Sequence, residues 1–277
     1  MEVNESFPLV SIRIPAYNHA AFIEQCLDSV LSDNYPNKEL LIMDDGSTDD
    51  TVSIVERWIE TNSPGFPVRL YKRPHRGLCA VLNELIPLCK GEYLVSLASD
   101  DILLPDGIKS RVDYLKKNPD KSAVIGDCIV IDAKGNKIYE SALSDMNGVM
   151  VESYLDDEGL RKEIVWQWSV PGPVLMVRRS IYERIGGYDE RLAFEDWDFY
   201  LRMASKNLLG FVNQKVSGYR IHHQNTCRSI RRGRAWFELS KAGFRNLSRF
   251  KGKLRWLLFK RSVLSLLLSV RAWANGS

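Results

Sequence analysis

Along residues 9–132, apolar positions switch repeatedly between the spacing of a strand and that of a helix. "LVSIRIP" is a short β-rich run, and "AAFIEQCLDSVLSD" after it sets Ile23, Cys26, Leu27, Val30 and Leu31 at helical spacing. "ELLIMD" predicts a second strand, and "TVSIVERWIE" gathers Val52, Val55, Trp58 and Ile59 on one helix face. "VRLYKR" predicts a third strand. "LCAVLNELIPLCKG" predicts a helix in which Pro87 sits late or forms a kink, because proline lacks the amide that a helix interior needs. "EYLVSLA" predicts a fourth strand, "DGIKSRVDYLKKNP" a helix stopped near Pro119, and "SAVIGDCIVID" a fifth strand closed by a hairpin turn at "AKGN".

Strands separated by helices of this length predict βαβ units and a mostly parallel sheet covered on both faces. Open sheets of this kind bind ligands beyond the carboxyl ends of their strands. Three polar clusters fall at such ends: "PAYN" (15–18), "DDGSTDD" (44–50) and "SDD" (99–101). Three on one edge point to a site. No GxGxxG follows a strand and no GxxxxGK[ST] occurs, which argues against a dinucleotide-dependent dehydrogenase or a P-loop NTPase. A nucleotide held here would need its phosphates neutralised by a metal, for which Asp100 and Asp101 offer hard oxygen ligands.

The 277 residues are 45% hydrophobic and 26% charged, enough for a sizeable core. Five scattered cysteines without a CxxC pair argue for a reducing compartment, and "MEVNESFPLV" shows no signal peptide. The net charge of +3 conceals an asymmetry: residues 226–277 carry thirteen Lys and Arg against one acid, Glu238. The body is acidic and the tail strongly basic.

From about Leu9 to Asn225 the chain resembles the family 2 glycosyltransferases of GT-A fold. The resemblance rests on "VSIRIPAYNHAAFIEQCLDSVLSDNYPNKELLIMDDGSTDDT", "GEYLVSLASDD", "GGYDERLAFEDWDFYLR" and "YRIHHQN", which follow the family's order and spacing. It implies a GT-A α/β fold over residues 1–225, with a nucleotide-sugar-binding half at about 9–132 and an acceptor-binding half at 133–225. It implies an inverting, metal-dependent transfer from a nucleotide sugar, most often UDP-linked, to a glycan hydroxyl. Bacterial surface polysaccharide, including O-antigen, is the expected product type. Pro15, Ala16 and Tyr17 would line the base pocket, and Asp45 would accept the ring N–H of uracil or thymine. Asp100 would hold the ribose or assist the metal, and Asp101 would bind Mn2+ or Mg2+ at the diphosphate. His222 would add a metal or phosphate contact, Gly77 and Asn83 would pack along the diphosphate, and Asp196 would be the general base. Leu82 stands where the family commonly has Arg, leaving Arg76, Lys72 or Arg220 as substitute cations.

Plainer readings of the same residues stand beside these. Asp44 and Asp45 suit an Asx-type turn, with Asp49 or Asp50 capping the next helix. Asp196 suits the N-cap of a helix beginning near Trp197, a place that favours the carboxylate; burial beside Phe194 and Trp197 would oppose that. Glu195 and Asp198 compete for the base role. Trp166 and Trp168 are either core aromatics or a platform for acceptor sugars. His19 and His75 look incidental. A non-catalytic sugar-nucleotide or polyanion-binding protein of the same fold is the alternative function.

Residues 226–277 predict a helical, Leu- and Trp-rich, membrane-associating tail. Its longest uncharged apolar stretch, Ser262 to Val270, is too short to span a bilayer, which needs about 20 residues. Lys and Arg beside Trp256 and Trp273 suit an anionic headgroup layer. This places the protein in the cytoplasm at the inner face of the membrane, working on a polyprenyl-diphosphate-linked glycan. Nucleic acid is not an expected partner. The other reading packs part of the tail back on the catalytic domain.

Overall fold

A computed structural model describes residues 7–62, 64–192, 195–223, 225 and 231–274. Phe194, Cys227 and the expected boundary after residue 225 involve positions outside them. Strand β1 (Val10–Ala16) lies between β2 (Lys38–Asp44) and β4 (Tyr93–Ser96), with β3 (Val68–Lys72) beyond β2, all parallel. Every residue of β2 is buried, and its side chains divide between two cores. Leu40 and Ile42 join the core under helices α1 (Ile23–Ser32) and α2 (Thr51–Asn62), whereas Leu41 and Met43 join the one on the other face. A sheet covered on both sides explains why the strand is continuously apolar rather than alternating.

Helix α3 (Leu78–Leu85) gives way to a single 3₁₀ turn, Ile86–Leu88, at Pro87, as its ring requires. Helix α4 (Gly107–Lys117) precedes β6 (Ala123–Ile131), which forms the expected hairpin with β7 (Lys137–Tyr139). The sheet continues from β4 through β8 (Leu175–Arg178), β6 and β9 (Leu209–Arg220) to the two-residue β5 (Ile102–Leu103). Parallel pairing thus runs unbroken only through β1–β4, and again between β6 and β9. Strand β8 is antiparallel to both β4 and β6, and β5 is antiparallel to β9.

Helices α5 (Asp157–Trp166), α6 (Ile181–Ile185) and α7 (Glu195–Ser205) belong to the second half of the chain. Trp197 of α7 is fully buried and donates its indole N–H to the Ile164 carbonyl at 2.9 Å. The basic tail forms a helical hairpin, α8 (Arg232–Asn246) and α9 (Gly252–Ala274), packed back on α5 and α7. Ala242, Phe250 and Leu258 lie in the same core as Trp197. Gly243 permits the close crossing: a Cβ there would stand 2.1 Å from the Ser262 hydroxyl. Among the described residues no helix is long and apolar enough to cross a membrane.

Candidate functional site

Register brings the polar clusters together. Pairing of β1 with β2 sets Ala16 level with Asp44, so both loops leave the same edge. The Asp44 carboxylate accepts from the Gly46 and Ser47 amides at 3.0 Å, the Asx turn expected of it. Asn18, at φ 53, accepts from the Thr48 amide at 2.8 Å, and its own amide N–H donates to the Ser47 hydroxyl. Asp49 accepts from Thr51 at the start of α2 and from the Ala20 amide.

Asp45 is buried, and its two carboxylate oxygens accept from the Arg76 and Gly77 amides at 2.8 Å each. Gly77, at φ 93, gives the loop the turn this requires. The His75 ring lies 2.9 Å from the same carboxylate and stacks on Tyr17, ring centroids 4.4 Å apart. His75, incidental in the sequence, forms part of this wall. Its signal was its place two residues before Gly77.

Pairing of Ile102 with Gly218 carries Asp100 and Asp101 to the end of β9. Asp101 accepts from the Arg220 amide at 2.7 Å; burial, then the charge of Asp100, pushes its pKa well above the carboxylate range. Asp100 meets His222 Nε2 at 2.9 Å and lies 4.0 Å from His19 Nδ1. One donor atom from each of His19, Asp100 and His222 falls within 4.8 Å of the others, a nitrogen and oxygen set that fits a divalent transition metal. Burial lowers the His19 pKa, which favours the neutral imidazole a metal requires, although Asp100 acts in the opposite sense. His19 was not singled out from the sequence, yet it follows "PAYN" directly on the same edge.

Asp196 sits in the first turn of α7, which begins one residue before it. Its carboxylate accepts from the Trp197 amide at 2.7 Å. Burial nevertheless outweighs the helix terminus and pushes its pKa up to about 6. Glu195 is pushed higher, to about 8, by burial and by the neighbouring Asp196 charge. Asp198 is buried between Arg202, at 2.8 Å, and Asn246, at 2.7 Å. It lies outside the cavity that Asp196 lines.

That cavity, about 700 Å³, is lined by Pro15, Ala16, Tyr17, Asp45, Gly77, Asp100, Asp101 and Asp196, with His19 and His75. His222 stands behind Asp100, fully buried. Asn83 is not part of the lining: its amide exchanges two hydrogen bonds with the Tyr188 backbone, at 2.8 and 2.9 Å, and so pins the two halves together. Arg220 is likewise occupied, donating to Gln25 and to the Asp100 and Asp132 carbonyls. Arg76 and Lys72 pair with Glu84 and Glu56. Trp166 and Trp168 are half-buried, and Trp168 packs edge-on against Tyr200 at 4.8 Å.

The model of glycosyl transferase family 2 matches residues 11–186. Chondroitin synthase of Escherichia coli is 30% identical over 220 residues, covering 79% of this chain and 30% of that protein. An uncharacterized glycosyltransferase of Rickettsia typhi is 26% identical over 248 residues, covering 88% of this chain and 74% of its own length. The chain therefore spans less than a third of the chondroitin synthase. Among solved structures, a mannosyltransferase from Pyrobaculum calidifontis in complex with GDP-Man and Mn2+ matches with a TM-score of 0.72 at 20% identity, over 98% of this chain and 75% of that one. Residues 1–349 of S. aureus TarS, in complex with UDP-GlcNAc, match with a TM-score of 0.64 at 15% identity, over 95% and 72% of the two chains. The fold is of the GT-A type, as the motifs led one to expect.

Proposed function

The chain belongs to glycosyl transferase family 2, and on that premise we propose that it moves a sugar from a nucleotide-sugar donor, uridine-linked, to a glycan hydroxyl with inversion. One observation carries the reading: Tyr17, Asp45, Asp100 and Asp196 line one cavity. Tyr17 and Asp45 offer an aromatic face and an acceptor to a nucleobase. Asp196 takes the proton of the acceptor hydroxyl as its oxygen attacks the anomeric carbon. The bond from that carbon to the diphosphate oxygen breaks, and the nucleoside diphosphate leaves with the electron pair. A carboxylate with a pKa near 6 is ionised at neutral pH yet basic enough for this task.

His19, Asp100 and His222 would hold a divalent cation, their two imidazoles favouring Mn2+ over Mg2+, with Asp101 fixing the end of β9 beside them. When bound, such an ion supplies positive charge against the diphosphate. Asp100 orients the buried His222 imidazole at 2.9 Å, and the Ser99 hydroxyl orients that of His19 at 2.7 Å. Loss of an imidazole at this cluster would weaken the ion without disturbing the base at Asp196.

The acceptor in this reading is a lipid-linked glycan of bacterial surface polysaccharide synthesis, met at an anionic membrane. The observation favouring it is the outer face of α9, where Trp256, Leu267, Val270 and Trp273 are all more than half exposed. Lys253, Arg255, Lys260 and Arg271 belong to the same helix. A thermal-shift screen of nucleotide sugars with Mn2+ tests the donor half, because a ligand that binds only the folded state raises its melting temperature. Stabilisation by a UDP-sugar, abolished by EDTA and restored by Mn2+, is expected. No stabilisation by any nucleotide sugar would remove the reading. The anomeric configuration of the product, read by NMR, decides inversion.

A further inference from the structure

Helix α3 starts at the donor wall. Its N-cap, Gly77, is held by Asp45, and Leu78 lines the large cavity. Six residues beyond Gly77, Asn83 grips the segment between α6 and α7. Its Oδ1 accepts from the Tyr188 amide at 2.8 Å, and its Nδ2 donates to the Tyr188 carbonyl at 2.9 Å and to the Glu190 carboxylate at 3.1 Å. An amide that both accepts from and donates to one backbone residue is fixed in orientation. Gly187 admits this approach, since a Cβ there would stand 2.5 Å from Asn83 Oδ1. The gripped segment is bonded in turn to the helix of the candidate base. Arg202 of α7 donates to the carbonyls of Ile185, Gly186 and Gly187 at 2.5, 3.3 and 2.8 Å. The Tyr188 ring stacks on Phe199, three residues after Asp196 on α7, with centroids 4.7 Å apart. Phe199 and Arg202 are both buried, so α7 cannot shift independently of the segment they hold. Asn83 itself lines neither the large cavity nor the smaller one beside Asp196.

We propose that Asn83 is a positioning residue for the transfer: through Gly187, Tyr188 and α7 it fixes Asp196 relative to the donor wall from which α3 starts. The proposal rests on the glycosyltransferase reading above. Attack requires the base, the acceptor oxygen and the anomeric carbon to be aligned, and a displacement of about 1 Å by a remote change costs on the order of 10²-fold in rate. The donor wall lies at the other end of α3, where Asp45 holds the Arg76 and Gly77 amides without help from Asn83. Loosening the clasp should therefore slow the reaction and leave the nucleotide bound. A side chain packed on the diphosphate, the place that the family resemblance implies for Asn83, would do the opposite.

The test compares Asn83→Ala, Gly187→Ala and the double variant with the unaltered protein, each well below its melting temperature. Binding is read by calorimetry with UDP and Mn2+. Turnover is read as UDP released from the UDP-sugar that stabilises the protein most, with water as acceptor. Asn83→Ala is expected to keep the UDP dissociation constant within about twofold and to lower kcat by about 10- to 100-fold. Gly187→Ala forces the clasp apart from the other side and should show the same split to a smaller degree. The Asn83 amide can turn aside for that methyl group, so Gly187→Ala stays measurable if Asn83→Ala does not fold. Alanine at 83 removes the oxygen that a Cβ at 187 would strike, so the double variant should be no slower than Asn83→Ala alone, as for two residues in one contact. A UDP constant weakened as much as kcat puts Asn83 on the donor and overturns the proposal. So does an unchanged kcat in variants that only melt lower, which makes the clasp structural, and so do losses that simply add. If the unaltered protein does not bind UDP with Mn2+, the glycosyltransferase reading falls and the positioning role with it.

Discussion

At the scale of single residues, Asp196 shows how one carboxylate is set for its task. The first turn of α7 and the Trp197 amide favour the charged form, burial opposes it, and burial wins. Asp196→Asn is therefore expected to lower kcat by about 10²–10⁴-fold, the usual contribution of a general base, with donor affinity nearly unchanged. Equal losses in donor affinity and rate would place Asp196 on the donor side instead. For the wild type, kcat/KM should fall as pH drops through about 6, because protonation removes the base. Stability runs the other way. A carboxyl whose folded pKa is raised binds its proton more tightly when folded, so its stabilising effect is full below the unfolded value and disappears as pH rises through about 6. Asp196→Asn should consequently melt higher than wild type at pH 8, and the gap should close near pH 4. Thermal melts of both proteins at the two pH values measure this directly.

At the scale of elements, the backbone of the loop after β3 is held by the Asp45 carboxylate, while Glu84 pairs with its Arg73 and Arg76 side chains. Asp45 accepts from two successive amides, Arg76 and Gly77, and so sets the wall on which His75 stacks against Tyr17. Asparagine offers one acceptor oxygen where the loop needs two, and its NH₂ would face a backbone donor. Asp45→Asn is expected to weaken UDP binding at least tenfold, and to raise amide hydrogen exchange at Arg76 and Gly77. Unchanged exchange with weakened binding would mean that Asp45 contacts the base without holding the loop. The ends of β1 and β9 converge likewise in His19, Asp100 and His222. His19→Ala should raise the Mn2+ concentration needed for half-maximal UDP binding by about 10-fold or more, a loss typical of damaged metal sites. A titration showing no change would remove His19 from the ligand set.

At the scale of the whole molecule, the basic tail is both a buttress and an exposed face. Asn246 donates to Asp198, Lys241 to the Arg191 carbonyl, and Arg245 pairs with Asp189, so the hairpin supports the helix that carries Asp196. The buried hydrogen bond from Asn246 to the Asp198 carboxylate contributes about 1.5–3 kcal/mol, the two solvent-facing contacts less, and core burial at Ala242, Phe250 and Leu258 adds to that. A protein ending at Asn225 is expected to unfold or aggregate, which circular dichroism and sedimentation would show. The outer face can be tested without that damage. Changing Trp256, Leu267 and Trp273 to Ser, with Lys253 and Lys260 to Glu, should leave the melting temperature within a few degrees while abolishing co-sedimentation with anionic liposomes. For the unaltered protein, salt should weaken that co-sedimentation, since charges are screened over about 10 Å at 0.1 M. Liposome binding equal to wild type in the five-fold variant would show that α9 faces something other than lipid.

The sequence by itself determined the alternation of strands and helices, the polar clusters at the ends of β1, β2 and β4, and the family to which they belong. Those features are local: periodicity and turn chemistry act over a few residues, and "VSIRIPAYN" and "LLIMDDGS" state them outright. Only the tertiary structure decided that Asp198 is sealed by Arg202 and Asn246 while Asp196 reaches the cavity, because adjacent carboxylates on one helix turn look alike until their neighbours arrive. It likewise decided that Asn83 bridges the halves of the molecule, through a partner 105 residues away. Antiparallel β8 carried no signal of its pairing, and two-residue β5 none of its existence. In α9 the buried positions are Leu258 and three serines, Ser262, Ser265 and Ser269, while Trp256, Phe259, Leu264, Leu267, Val270 and Trp273 are exposed. The close approach of α8 at Gly243 leaves room only for a small residue at Ser262, and that choice is set by the contact, not by the helix alone.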